Sequence, residues 1–398
     1  MKKQKKRRQK KRKKKKIKNK KKQTEKKFIN NFDLKPWERP RMKMYQMPEL
    51  IPPETSKEER LQIIKSIGEK AQKDFEEKYP LIEEWFKKYD ALYLLSFCSR
   101  YFTAVPEGID LEVTGKIIFH HHYLEIMQAF ALRQERSFST KPLLDDAEKI
   151  KNEMQSIGNA MKFRYLNIPE NLKIEEVFTH KLRTEMMLHT AAIRNWAYPH
   201  QISKVVNEIA FLLKNDFEEL YKINPVKLFK TLFIISEERN ELLNNHIDSI
   251  RRVINLTNYK EIMHTYHKEF KFNGKITDER VEESWTHVGK NLEKLKIMLI
   301  SHSDLLLEKV YSFSIKHFEN LYGEKANKKD IEAILDKLSY NFKDLTKNNP
   351  EYFILDNPVH LRPFIKIEKG TYYSSIYGII HHLHSSNKCN THYLFEYS

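Results

Sequence analysis

The chain has 398 residues, 40% of them hydrophobic and 32% charged, with only 9 Gly and 14 Pro. That length accommodates two or three domains with apolar cores, and so few Gly and Pro favour long helices over many tight turns. The formal net charge of +18 sits at one end: residues 1–27 hold 19 Lys and Arg against the single acid Glu25, so the other 371 positions contain 53 basic and 53 acidic residues and are neutral. Charge therefore gives no reason to read the folded body as a nucleic-acid binder.

Residues 1–27 contain one apolar side chain beyond the initiator, Ile17. No burial can offset the cost of ordering such a backbone, and like charges keep it extended, so a disordered polybasic tail is expected. Its run Lys5, Lys6, Arg7, Arg8, Lys10, Lys11, Arg12, Lys13, Lys14, Lys15 and Lys16 is the candidate electrostatic contact to nucleic acid or the ribosome. Each phosphate neutralised there would release a counterion and make binding steeply salt-dependent. No aromatic residue interleaves the run to stack on bases. Met42, Met44 and Met47 are internal starts, so translation of the tail is itself an open reading. Residues 28–54 form a Pro-rich linker in which Pro36, Pro40, Pro48, Pro52 and Pro53 stop regular structure.

A helical body is expected over 55–349, with a subdivision near 197–201 or 272–278. Thr55-x-x-Glu58 and Ser56-x-x-Glu59 are overlapping capping boxes, and Leu61, Ile64, Ala71 and Phe75 mark one face of the helix they open. Pro80 is expected to start a second helix with the stripe Leu81, Trp85, Tyr89 and Leu92. Further helices are read over 113–132, 143–161 and 174–196. Ile202, Val205, Val206, Ile209, Leu213, Phe217 and Leu220 give the clearest amphipathic stripe. Pro225 opens another helix, Gly274 marks a break, and Trp285 lies on a short helix. Residues 292–318 read as one long helix closed by Gly323. Asn327 caps a last one carrying Ile331, Ile334, Leu335, Leu338 and Phe342. After Asn348-Asn349-Pro350 the period changes: Phe364, Ile365 and Ile367, a Glu-Lys-Gly turn, and Thr371-Tyr372-Tyr373 form a hairpin signal. The expected fold is mainly α, a multi-helix bundle, coiled coil or irregular helical array, with a short β-hairpin in a separate segment 350–398.

Two cysteines, Cys98 and Cys389, make no disulfide framework and suit a reducing, cytoplasmic setting. The basic N-terminus lacks the apolar core of a secretory signal. The longest apolar stretch, 91–105, is interrupted by Arg100, so no membrane partner is expected. Glycine-rich phosphate loops, His-Glu-x-x-His and nucleophile elbows are absent from the sequence, and no cofactor is expected.

Four groups of residues are candidates for chemistry. On a helix, Glu185, His189 and Trp196 share a face beside Arg194, a candidate polar site in which Glu185 would hold His189 protonated. His120-His121-His122 points in three directions and does not chelate one ion. Glu261-x-x-His264, with His267, is half a di-iron motif without its second half. His381, His382, His384, Cys389 and His392 form the densest set of imidazole and thiolate ligands, the chemistry that suits zinc, at a spacing that matches no zinc signature. Glu269-x-Lys271 matches part of a nuclease pattern but lacks a strand context.

Two pieces, His189-x4-Arg194-Asn195-Trp196-Ala197-Tyr198 and Asn357-Pro358 through Arg362-Pro363-Phe364-Ile365 to Gly370-x-Tyr372, resemble stretches of uncharacterised bacterial proteins with a long helical N-terminal region and a C-terminal restriction-endonuclease-like segment. A Gly more often stands where this chain has Ala197. The resemblance implies action with nucleic acid, in defence. However, no acid-x-Lys core follows Tyr377, which lies 21 residues before Ser398, so this copy is expected to lack the cutting part and no catalytic residue carries over. The expected function is a non-enzymatic helical scaffold or interaction protein. Two alternatives stand beside it: a nucleic-acid-associated protein tethered by its tail, and a metal-dependent enzyme using the C-terminal His/Cys group.

Overall fold

A computed structural model describes residues 55–103, 121–167, 207–323, 327–354 and 357–374. The chain divides into a unit ending at Ile63 and a second from Ile64 to Ser398. In the first, Ser56 closes the expected capping box: its hydroxyl accepts from the Glu59 amide at 3.2 Å, and the Glu59 carboxylate accepts from the Ser56 amide at 3.0 Å.

Short polar side chains set most helix starts. Helix α1 spans Lys57–Lys88, α2 Ala91–Thr103, α3 His121–Ala131 and α4 Ala147–Phe163. Asp90 accepts from the amides of Leu92 and Tyr93 at the start of α2. After helical residues 207–212 come α5, Lys214–Tyr221, and α6, Pro225–Ile254, the latter capped by Asn224 with Pro225 in the first turn. Asn258, Thr277 and Asn291 cap α7 (Tyr259–Glu269), α8 (Asp278–His287) and α9 (Leu292–Asp304). Then follow α10 (Leu307–Tyr311), α11 (Ile315–Tyr322, capped by Ser314) and α12 (Lys328–Lys337, capped by Asn327 as expected). The protein is mainly α, as composition and periodicity indicate. Among the described residues no helix is long and apolar enough to cross a membrane.

Three expectations about elements are corrected. Pro80 does not start a helix; it lies inside α1. It stands on the exposed face, where the carbonyl it leaves without an amide partner reaches water. The long helix over 292–318 is instead α9, α10, a strand β1 (Ser312–Ser314) and α11. The Ser312 hydroxyl donates to the Glu308 carbonyl and the Ser314 hydroxyl accepts from the His317 amide, so both serines offer the backbone an alternative to helix. In the stripe ending at Leu220, Phe217 is buried but Leu220 is 47% exposed. The first part of the helix expected over 113–132, up to 120, the whole of that expected over 174–196, and Ile202, Val205 and Val206 of the stripe lie outside the described residues.

The hairpin forms as β3 (Phe364–Glu368) and β4 (Thr371–Tyr373), turning through Lys369 and Gly370, whose φ of 76° is open to glycine at little cost. It does not stand apart. Strand β1 pairs antiparallel with β4, and β2 (Ser339–Tyr340) pairs parallel with β3, so the order is β1-β4-β3-β2. The boundary expected at 349/350 is therefore bridged by the sheet. Alternation along each strand sends neighbours to opposite faces. Ile365 and Tyr373 enter a core built with Phe75, Phe86, Leu94 and Phe130 of α1–α3. Phe364, Tyr372 and Phe313 enter a second core with Leu232, Phe318 and Ile334 of α6, α11 and α12. The sheet is the shared wall of two apolar cores.

Helix α2 lies deepest. Its positions 91–100 are all buried, including Ser96, Ser99 and Arg100. The stretch nearest to a membrane span in composition is thus the central core helix. A third, smaller core joins the end of α6 to α7–α9, with Val253, Ile262, Val281, Leu295 and Leu299.

Candidate functional site

Among the described residues, helices α7, α8 and α9 and the turns between them line a concave surface. Two left-handed turns let the chain double back twice within 40 residues: Lys271 and Gly274 have φ of 51° and 82° before α8, and Gly289 and Lys290 have 67° and 55° before α9. The three helices line an open cleft of about 350 Å3. Met263, Phe272, Ile276, Met298 and Leu299 form its apolar wall. Tyr266, His267, Glu283, Ser284, His287 and His302 supply its polar groups. Three rings run along one side, with Tyr266–Phe272 at 5.5 Å and His267–Phe272 at 5.6 Å between centroids. Tyr266 is 7% exposed and its hydroxyl has no hydrogen-bond partner, a state that costs about 1–3 kcal/mol. Burial, and then the Asp304 carboxylate, push its phenol above the ordinary tyrosine range, so it remains a donor.

Asp304, at the end of α9, fastens this lobe to the interior. It is fully buried and accepts from Arg100 Nη2 of α2 at 2.6 Å, and His246 Nε2 of α6 lies 3.7 Å from the same oxygen. Burial lowers Arg100 from the usual arginine value, and the Asp304 charge acts against that shift. Other buried charges do the same work between other elements. Arg136 bridges Asp90 and Glu308, each at 2.7 Å, and Glu125 of α3 meets His360 Nε2 at 2.7 Å. Cys98 is buried and its thiol is pushed well above the usual range by desolvation, which keeps it a packing residue rather than a nucleophile.

The stretch from Asn357 to Tyr372 has structural duties throughout. Asn357 Oδ1 accepts from the Val359 amide and caps a 3-10 turn over Pro358–His360. His360 pairs with Glu125, the Arg362 guanidinium lies 5.1 Å over the Tyr340 ring, and Gln128 Nε2 donates to the Pro363 carbonyl at 3.0 Å. The segment thereby straps the sheet to α3.

Of the residues expected to carry function, Lys5 to Lys16, Glu185, His189, Arg194, Trp196, His381, His382, His384, Cys389 and His392 lie outside the described residues, as does His120. His121 opens α3. Glu261 and His264 are exposed, and only His267 of that trio reaches the cleft. Among the described residues no group of three or more His, Cys, Asp or Glu is placed to hold a metal ion. Glu269 accepts from Arg252 and Ser249 at the end of α7, and Lys271 lies in the turn beyond it, so the acid-x-Lys match has no strand. Sequence reasoning missed Tyr266, Phe272, His287 and His302. The findable signal was the shared spacing of Met263, Tyr266 and His267 on α7 and of Met298, Leu299 and His302 on α9, one face each. No protein-family model, curated protein or solved structure matches this chain.

Proposed function

We propose that this chain acts as a helical scaffold or interaction protein rather than as a catalyst. The observation that carries the reading is where the interior charges go: Arg100 to Asp304, Arg136 to Asp90 and Glu308, and Glu125 to His360 each join elements distant in sequence. Acid and base side chains so placed hold helices in a fixed relation. In this reading the chain is related to helical proteins that bear a nuclease segment, and works without cleavage. Incubation with DNA or RNA in the presence of Mg2+ or Mn2+ tests it. The expected result is intact substrate; metal-dependent cleavage abolished by one acidic substitution would overturn the proposal.

A second reading rests on the placement of charge, all +18 of it in residues 1–27. The tail tethers the protein to nucleic acid or the ribosome. Removal of residues 1–27 is then expected to abolish binding to DNA or RNA together with its salt dependence. Binding that survives the removal, with the same salt slope, would exclude the tail.

A further inference from the structure

We infer that the open cleft between α7, α8 and α9 binds a small organic ammonium ion, an amine carried on a flat apolar body. Its one charged lining group is the Glu283 carboxylate, so a ligand that brings charge there gains only if that charge is positive. The carboxylate is available. Its neighbour Glu282 accepts from the Tyr259 hydroxyl and lies 3.5 Å from Lys260 Nζ. Glu283 is exposed and, among the described residues, makes no hydrogen bond or ion pair. A primary ammonium has three N–H donors and no acceptor. Glu283 takes one, and two neighbours on α8 can take the others: the Ser284 hydroxyl and, one turn on from Glu283, the exposed His287 imidazole in its neutral form. The rest of the wall suits the rest of the cation. Phe272 is 40% exposed, with the His267 ring 5.6 Å away, and an aromatic face attracts a cation through its quadrupole. Met298 and Leu299 offer apolar surface to the hydrocarbon body. The volume of about 350 Å3 leaves room for one or two rings. An open cleft with one exposed carboxylate implies weak, salt-sensitive binding. This inference goes beyond the scaffold reading and does not depend on it.

The test is titration of the full-length protein with tryptamine at low salt, followed by calorimetry or ligand-observed NMR. 3-Methylindole has the same ring system without the ammonium, and indole-3-acetate carries the opposite charge. Saturable binding of tryptamine is expected, with 3-methylindole weaker and indole-3-acetate weaker still. Glu283→Gln, a change at an exposed position that keeps the side chain's size, should weaken tryptamine about two- to fivefold and leave 3-methylindole unchanged. Met298→Trp, which fills the cleft, should abolish binding. Should Met298→Trp lower the melting temperature, the half-buried position Ser284 provides a second filling variant, Ser284→Trp. The inference is overturned by no saturable binding of tryptamine to the wild-type protein, by 3-methylindole or indole-3-acetate binding as tightly, by affinity unchanged in Glu283→Gln, or by undiminished binding to a folded cleft-filling variant.

Discussion

Replacing Asp304 with Ala should be the most damaging single change in the interior. The carboxylate is fully buried, and its partner guanidinium on Arg100, 2.6 Å away, is only 7% exposed. Deleting one member of such a pair leaves the other charge buried without its counterion, which costs about 3–5 kcal/mol. Against a typical total of about 5–15 kcal/mol for a folded domain, that is a fifth of the stability or more. The geometry adds a second loss, because His246 of α6 approaches the same oxygen at 3.7 Å, so α2, α6 and α9 lose their common contact together. The double variant Arg100→Met/Asp304→Leu should behave differently. It removes both charges and fills the space with apolar side chains, a change that is often neutral or stabilising. Urea unfolding followed by circular dichroism measures Asp304→Ala, the double variant, and the single changes Arg100→Met and Asp304→Leu that close its cycle with the wild type and isolate the pair. If Asp304→Ala costs less than about 1 kcal/mol, or if the double variant is as unstable as the sum of the single losses, the carboxylate does not hold these helices and the reasoning fails.

Stability should also fall steeply in alkali. Burial raises the phenols of Tyr93, Tyr123, Tyr266, Tyr372 and Tyr373, with Tyr123 pushed up to about 12. A group whose folded pKa lies above its unfolded value of about 10 stabilises fully below that value and loses the contribution as pH rises through the folded pKa. For Tyr123 alone, a phenol raised from about 10 to about 12 contributes on the order of 3 kcal/mol that is lost between pH ~10 and ~12, and Tyr123→Phe should shift the alkaline midpoint read by circular dichroism upward. Gly68→Ala should destabilise more than Gly158→Ala: a Cβ at Gly68 meets the Asn167 backbone nitrogen at 2.2 Å, whereas at Gly158 it meets a side chain, the Tyr123 ring, at the same distance. Overpacking of about 1–3 kcal/mol outweighs the ~1 kcal/mol gained in helix propensity at both, and equal melting temperatures for the two variants would contradict the difference. Elemental analysis of purified protein should find metal below stoichiometry; one zinc per chain, lost in Cys389→Ala, would assign the C-terminal His/Cys group a metal role.

Helix starts were the most legible feature of the sequence, because a cap is a local event. Asn327 with Asp330, Pro225 after Asn224, and Ser56 with Glu59 each need only three or four residues to be recognised. What local pattern could not decide was competition. Residues 305–318 have helical periodicity, yet Ser312–Ser314 forms a strand because β4 offers it a hydrogen-bonded edge from 59 residues further along. Pro80 reads as a boundary, but tertiary burial of Phe75, Ile82 and Phe86 on both sides of it keeps α1 continuous. The cleft was illegible for a similar reason. His267, His287 and His302 share no short motif, and only the fold of α7–α9 brings them to one cavity.

The hairpin shows most clearly how far a local reading reaches. Phe364 to Tyr373 announces its own turn and strands, and by itself it resembles an appendix to a helical body. A two-stranded hairpin is marginal alone in water, so its existence implies partners, and the alternation of its side chains tells where they must be. A strand with one solvated face alternates apolar and polar residues. Here Phe364-Ile365 and Tyr372-Tyr373 are adjacent apolar pairs, and both members of each pair are buried. That pattern requires apolar material on both faces, which is what the cores around Phe130 and Phe318 provide. The strap at Asn357–Pro363 then has its purpose, since a wall shared by two cores must be fastened at its edge. His360 on Glu125 and Pro363 on Gln128 do this against α3. The residues from Asn357 to Pro363 thus pack the sheet against α3, and His360→Ala or Gln128→Ala should loosen both cores together, read as a lowered melting temperature.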